Sequence, residues 1–340
     1  MLDLLKTLCC MDGPSGAEDV VREFIRSHAA HFADDIRTDA MGNLMVFRKG
    51  IKHPAKPVML CAHMDEVGFI IKRITNEGML KFGFTGGVDP RVALGRAVRF
   101  GQVKGIVGIK AVHLTTASER EHMPKTKDLY IDIGVTSKDE ALAKVQPGDY
   151  GTFDSDIVEF GDGLLKAKAI DDRFGCAVLL ALLRDKPLLD TWFVFTVQEE
   201  AGLRGAATAA FALRPDLCLV VEGTTAADLA EVPPHKQVCA LGKGAVIPFM
   251  DGRTIYDEGL FDMLRQAAET QDIPWQTKHM IAGGTDAGRI HMACAGARTV
   301  GLAVPVRYIH SPVSTAALSD MRDVYALARA FLEGIAQSIE

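Results

Sequence analysis

Apolar residues recur along this chain at two different spacings, and the spacing changes twice between its ends. Residues 2–10 (LDLLKTLCC) place apolar side chains at helical intervals and predict a short amphipathic helix. A break at Asp12-Gly13-Pro14 follows. Ser15, with Glu18 three residues later, reads as a capping box ahead of VVREFIRSHAAHF, which predicts the start of a second helix. Residues 44–47 (LMVF) and 57–62 (PVMLCA) read as strands, the second apolar enough to be buried on both faces.

From about residue 68 to 162 the texture changes to short β-prone runs: FIIKRI, GMLKFGF, RAVRF, VKGIVGI, KDLYIDIG and DYGTFDSDIVEF. Glycine, aspartate and proline turns separate them, which predicts a small barrel or sandwich. After residue 163 helices and strands alternate again. Helices are expected at 173–184, 204–213 and 257–270 and from 319 onward, with strands at 191–198, 217–222 and 298–304. The fold class this implies is α/β: residues 1–67 and 163–340 form a domain with a largely parallel sheet, interrupted by an inserted β-barrel-like domain at 68–162.

Composition alters this picture little. At 48% hydrophobic and 24% charged, the chain has the make-up of a globular protein. No run approaches the roughly 20 apolar residues of a membrane span, and the first residues lack the apolar core of a signal peptide. A net charge of -6 without a basic block argues against nucleic acid as a partner. The 7 cysteines form no C-x-x-C pair and read as reduced thiols of a cytoplasmic protein.

Candidate chemistry gathers where strands end. Parallel sheets present ligand-binding groups at the carboxyl ends of their strands. VMLCA runs into His63-Met64-Asp65-Glu66, WFVFTV into Gln198-Glu199-Glu200, and LCLVV into Glu222-Gly223. RTVGLAV is followed after a turn by His310, and Asp171-Asp172 precede the helix RFGCAVLLALL. His63, Asp171, Glu200, Glu222 and His310 combine imidazole nitrogen with carboxylate oxygen, a set that suits Zn²⁺, Co²⁺ or Mn²⁺. A carboxylate shared between two ions would give each three protein ligands. Glu199 beside Glu200 offers a base that is not itself a ligand, and Asp65 is placed to accept the imidazole N–H of His63. Each piece alone has a plainer explanation. H-x-D is commonly a surface pair, a Glu-Glu doublet a solvated face, and Asp-Asp ahead of a helix a cap. Their coincidence at strand ends favours metal.

Five segments then carry a resemblance. AHMDEVG at 62–68, KAIDDR at 168–173, VQEE at 197–200, GGTDA at 283–287 and RYIHSP at 307–312 are similar to the signatures of the M42 family of metallo-aminopeptidases, in the family's order. The resemblance implies two divalent ions per subunit, zinc or cobalt first and manganese next. His63 and Glu222 would hold one ion, Glu200 and His310 the other, and Asp171 would bridge them. Glu199 would be the general base and Asp65 the partner of His63. It also implies peptide substrates, a barrel used for dimerisation, and dimers closing into a tetrahedral dodecamer. The Glu222 position is commonly aspartate in such proteins, and 224–250 is individual to this chain. Asp286 and Gly283-Gly284 read either as pocket lining or as a tight turn. The preference expected from sequence is broad or neutral, leucine-like, with a glutamyl preference second. A glycan hydrolase and an inactive scaffold are the alternatives from other classes.

Overall fold

The strand that runs into His63 lies near the middle of an eight-stranded sheet in the structure, a computed structural model that describes residues 1–338. Across the sheet the order is Asp35–Thr38, Leu44–Arg48, Thr191–Thr196, Val58–His63, Leu217–Thr225, Arg298–Val306, Ala245–Val246 and Trp275–Gln276. The four strands from Thr191–Thr196 to Arg298–Val306 are mutually parallel, so their carboxyl ends open on one edge. Val58–His63 is buried along its whole length, as its unbroken apolar run requires between two helical layers.

One layer holds the helices Leu2–Cys10, Asp19–Ala29, Glu258–Thr270 and Leu318–Ser338, together with Ile170–Arg184. Arg204–Leu213 and Ala287–Ile290 cover the opposite face. The helix Asp19–Ala29 buries Val21, Ile25 and Ala29, one stripe at four-residue spacing. Among the described residues, no helix is long and apolar enough to cross a membrane.

The β-rich stretch closes into a six-stranded barrel of Gly68–Ile74, Leu80–Thr85, Leu129–Asp132, Val103–Ile109, Ala97–Phe100 and Tyr150–Phe153. Its interior is a separate apolar core in which Phe69 packs edge-on against Phe82 and Phe153. Two local expectations are corrected, and one strand was not foreseen. The run DYGTFDSDIVEF splits: Tyr150–Phe153 is a barrel strand, but Val158–Phe160 pairs with Leu164–Ala167, which pairs with Ser314–Ala317. The edge strand Asp35–Thr38 is half-exposed and mostly polar, so it carries no alternating pattern. Ser15 and Glu18 form no capping box, and the helix begins at Asp19 without a side-chain cap. Both have better partners in segments the fold brings near. Ser15 Oγ donates to Asp65 at 2.5 Å, and Glu18 accepts from the Gln198 N–H at 3.1 Å.

Where barrel and sheet join, a buried ionic cluster replaces apolar packing. Lys168 Nζ donates to both oxygens of Glu66, at 2.7 and 2.9 Å, and to Asp12 at 3.2 Å. Arg173 is fully buried and donates to Glu66 and to the carbonyls of Met64, Leu8, Met11 and Gly13. Arg99, on a barrel strand, closes the cluster by chelating Asp12. Glu66 is the one fully enclosed anion facing two enclosed cations. Glu66→Gln keeps the shape and leaves Lys168 with the half-buried Asp12 as its one carboxylate and Arg173 with backbone carbonyls. Breaking a buried pair in this way costs about 3–5 kcal/mol. The expected result is a lower urea midpoint at unchanged slope, followed by circular dichroism.

Candidate metal centre

Five chain segments converge on the carboxyl edge of the parallel strands and place the five residues of metal-ligand type in one cluster, His310 coming from the loop after Arg298–Val306. His63 is the last residue of its strand, and Thr196 of the neighbouring strand is its register partner. Glu199 and Glu200 lie three and four residues past the end of Thr191–Thr196, in the turn before Arg204–Leu213. The sequence reading extends that strand to 198, but the chain leaves the sheet at Val197 and Gln198 takes a left-handed φ of 55°. Glu222 sits within Leu217–Thr225 and not at its end. Asp171 and Asp172 occupy a non-helical stretch at the head of Ile170–Arg184.

Asp171 stands at the centre. Its Oδ1 lies 3.4 Å from His63 Nε2, and its Oδ2 lies 3.6 Å from His310 Nε2. Glu222 Oε2 is 3.5 Å from His63 Nε2, and Glu200 Oε2 is 3.2 Å from His310 Nε2. The result is two triads, His63–Asp171–Glu222 and Asp171–Glu200–His310, with ligand atoms in each within 4.8 Å of one another. Glu199 belongs to neither, although its Oε2 reaches within 3.9 Å of His63 Nε2. Gly223 makes the close approach possible: a Cβ there would sit 2.9 Å from Asp171 Cβ, and its N–H donates to Asp171 Oδ1. The barrel supplies a wall, because Gly86, just after Leu80–Thr85, faces Glu200 and a Cβ there would lie 3.3 Å from Glu200 Cβ.

The electrostatics of the cluster call for added positive charge. Burial pushes the carboxyls of Glu199 and Glu222 well up, with His63 opposing, and pushes Glu200 up to about 7. Burial works against charge on the imidazoles, yet Glu222 and Asp171 hold His63 well above its ordinary value. Asp171 and Glu200 raise His310 to about 9 against the same penalty. Asp171, although buried, is held well below the carboxylate range by the two imidazoles. Packed carboxylates whose main available counter-charge is protonated histidine are a natural seat for cations. The buried Glu222 Oε1 has no hydrogen-bond partner among the described residues, and a bound ion would use that lone pair. Donor types, enclosure and this orphaned oxygen all fit a pair of divalent ions.

Asp65 does more than the sequence suggested. One carboxylate oxygen lies 3.4 Å from His63 Nδ1, although the closer acceptor for that nitrogen is Asp65's own carbonyl at 3.1 Å. The same carboxylate accepts from the backbone N–H groups of Glu199 and Glu200, at 3.0 and 3.1 Å. It therefore ties the His63 strand end to the Glu-Glu turn. Asp172 is a second support, accepting from the His63 and Gly175 N–H groups at 3.2 and 2.8 Å. Asp286 lies beneath the site, fully buried and accepting from Thr196 Oγ1 at 2.5 Å. Gly283-Gly284 lies in the irregular loop before Ala287–Ile290 and not in a tight turn, Gly283 at a φ of 68° with its carbonyl taking the Gly252 N–H. Sequence reasoning missed Ser15, Asp172 and Thr196. Only Asp172 carried a usable signal, the doubled aspartate.

Fold and cluster together define a class: an α/β protein that presents a shared-carboxylate pair of metal-ligand triads at its strand ends. Comparison with known proteins makes this specific. The model of M42 glutamyl aminopeptidase matches residues 42–327. A protein of Acetivibrio thermocellus is 38% identical over 329 residues, covering 96% of this chain and 97% of that one. An aminopeptidase of the archaeon Desulfurococcus kamchatkensis superposes with a TM-score of 0.91 at 34% identity, over 99% of this chain and 97% of that one. The TET1 peptidase of Pyrococcus horikoshii, which can assemble into a tetrahedron or a large octahedral shell, superposes at 0.84 with 33% identity, over 97% of this chain and 98% of that one. The chain belongs to the M42 peptidase family.

Proposed function

We propose that this aminopeptidase hydrolyses the first peptide bond of short peptides with two divalent ions, one held by His63, Asp171 and Glu222, the other by Asp171, Glu200 and His310. The observation that carries the reading is the placement of Asp171, with each of its oxygens facing a different imidazole. When bound, such ions supply Lewis-acid polarisation of a carbonyl and make water acidic enough to lose a proton near neutral pH. The chain's own residues do the rest. Glu199 stands beside both triads without belonging to either, so it takes the proton from the attacking water and returns it to the leaving amine. Asp65 holds the backbone of Glu199 and Glu200 and so fixes where that carboxylate points. The free α-amine of the substrate also sits at this cluster, which favours cleavage from the end of a chain.

A glycan hydrolase would need two carboxylates facing each other across a sugar, roughly 5–9.5 Å apart. Here the carboxylates point into one cluster with two imidazoles, which such chemistry would leave without a role. For assembly, we propose contact between copies through the barrel, supported by the exposed apolar side chains of Ile106, Val112, Leu114 and Met123 on or beside it. The seven free thiols support a reducing compartment.

Treatment with EDTA is expected to lower aminoacyl-nitroanilide hydrolysis at least about 100-fold, the scale on which metal centres lose activity when their ligation fails. Zn²⁺, Co²⁺ or Mn²⁺ should restore it, with about two ions per chain found by elemental analysis. Full activity in EDTA, or hydrolysis of a glucan by metal-free protein, would overturn the reading.

A further inference from the structure

The chain buries two lysines that are handled very differently. Lys168 is fully paired, with Glu66, Asp12 and the Met11 carbonyl around its ammonium. Lys278 is only 5% exposed, yet its Nζ makes a single hydrogen bond, 3.4 Å to the Ala282 carbonyl. Among the described residues, no carboxylate lies within the 4.0 Å of an ion pair with it. The nearby Asp251 is already engaged, accepting from the Arg253 and Thr254 N–H groups and from the Tyr256 hydroxyl. An enclosed cation short of partners is unfavourable in a fold that has no use for it.

Lys278 belongs to the same end of the sheet as the metal centre. Glu222 pairs in register with Ala303, Ala303 with Val246, and Val246 with Gln276, a single row across four strands. Ala245–Val246 and Trp275–Gln276 run antiparallel to Arg298–Val306, and beyond Gln276 the loop carrying Lys278 is tied back to the carboxyl edge: His279 N–H donates to the Val238 carbonyl, and Val238 N–H to the carbonyl of Ala226, the residue after Leu217–Thr225. Ala282, which holds the ammonium, packs on the small apolar cluster of Ala226, Val238, Cys239, Val246 and Ala303, beside Glu222 in that row. The loop is pinned from two sides, by His279 N–H to the Val238 carbonyl and by Gly252 N–H to the Gly283 carbonyl, each 2.8 Å. The position is therefore preorganised. Burial lowers the pKa of Lys278, while the charges of Asp251, Glu222 and Asp171 lie near enough to favour its charged form.

On the aminopeptidase reading given above, we propose that Lys278 is the specificity-determining residue of this site and selects peptides with an acidic first residue, its ammonium pairing with that residue's side-chain carboxylate. Glutamyl and aspartyl substrates bring the one group the pocket lacks. A leucyl side chain would leave the ammonium buried and unpaired, and a lysyl one would repel it. The proposal puts the glutamyl preference that the sequence reading placed second ahead of the neutral one it placed first.

The test is a panel of Glu-, Asp-, Leu- and Lys-p-nitroanilides, which carry no C-terminal carboxylate to confuse the readout. The metal-loaded wild type is run beside Lys278→Met, Lys278→Arg and Lys278→Glu, with folding checked by thermal melting. Wild type should favour the acidic substrates in kcat/KM. The Glu-to-Leu ratio should fall at least about 100-fold in Lys278→Met, as expected when a site built for a charged group meets no partner. Lys278→Arg should recover much of that ratio, and Lys278→Glu should favour the lysyl substrate. A wild type that prefers leucyl or lysyl substrates overturns the proposal whether or not any variant folds, and so does an unchanged ratio in folded Lys278→Met. Hydrolysis of no aminoacyl substrate at all would instead remove the aminopeptidase reading, and this proposal with it.

Discussion

Glu199→Gln is expected to lower turnover by about 10²–10⁴-fold, the contribution of a positioned general base, while the metal content of the protein stays at the wild-type level. The separation of the two effects follows from geometry. Glu199 lies outside both triads, so the ligand atoms that hold the ions are untouched by its loss. Its backbone N–H, which anchors the turn to Asp65, is also unchanged by the substitution. Glutamine keeps the volume of the side chain and removes only its ability to take a proton. Initial rates and elemental analysis on the same preparation decide the matter. Turnover within about tenfold of wild type, below the smallest effect ascribed to such a base, would transfer the proton-carrying role elsewhere. Metal lost together with activity would make Glu199 a ligand.

Asp171→Ala should behave in the opposite way, emptying both ion positions at once. Each of its oxygens faces one imidazole, so no other residue is common to both triads. Its removal leaves His63 with Glu222 and His310 with Glu200, two ligands each where a catalytic ion commonly has three from the protein. Apparent affinity for both ions is expected to drop by more than about 100-fold, the upper range for loss of a mere supporting contact. Titration calorimetry of the apo variant would read this directly. One ion retained at wild-type affinity would show that the triads are independent and that Asp171 does not bridge them.

These expectations separate what the sequence made legible from what it did not. Strands were legible because buried parallel strands are continuous apolar runs, so VMLCA marks where His63 emerges, whereas the strand of LCLVV runs on past Glu222 to Thr225. The barrel was legible as a class, since short strands broken by turn residues leave few other architectures. What failed was local grammar under tertiary competition. Ser15 and Glu18 have the spacing of a helix cap, but Asp65 and the Gln198 N–H claim them. Asp65 was legible as a partner of His63 and illegible as the anchor of the Glu199–Glu200 turn, because that contact joins residues 134 and 135 apart. Lys278 was silent for a similar reason. Nothing in its neighbours along the chain announces that the fold will enclose it and withhold a counter-ion.

The ionic cluster at the junction also governs how the molecule can change shape and composition. Glu66 stands three residues after His63, and Lys168 three residues before Asp171, so the two flank the excursion that holds the barrel and the pair of strands after it. Their bond fastens exit to return. A barrel that is pulled by a neighbouring copy, or rebuilt by mutation, meets this fastening at its base and touches a ligand side chain where Gly86 faces Glu200. The catalytic edge is thereby fastened across the base of the excursion it carries, leaving the barrel free to diverge in outline away from Gly86 while the spacing between His63 and Asp171 holds.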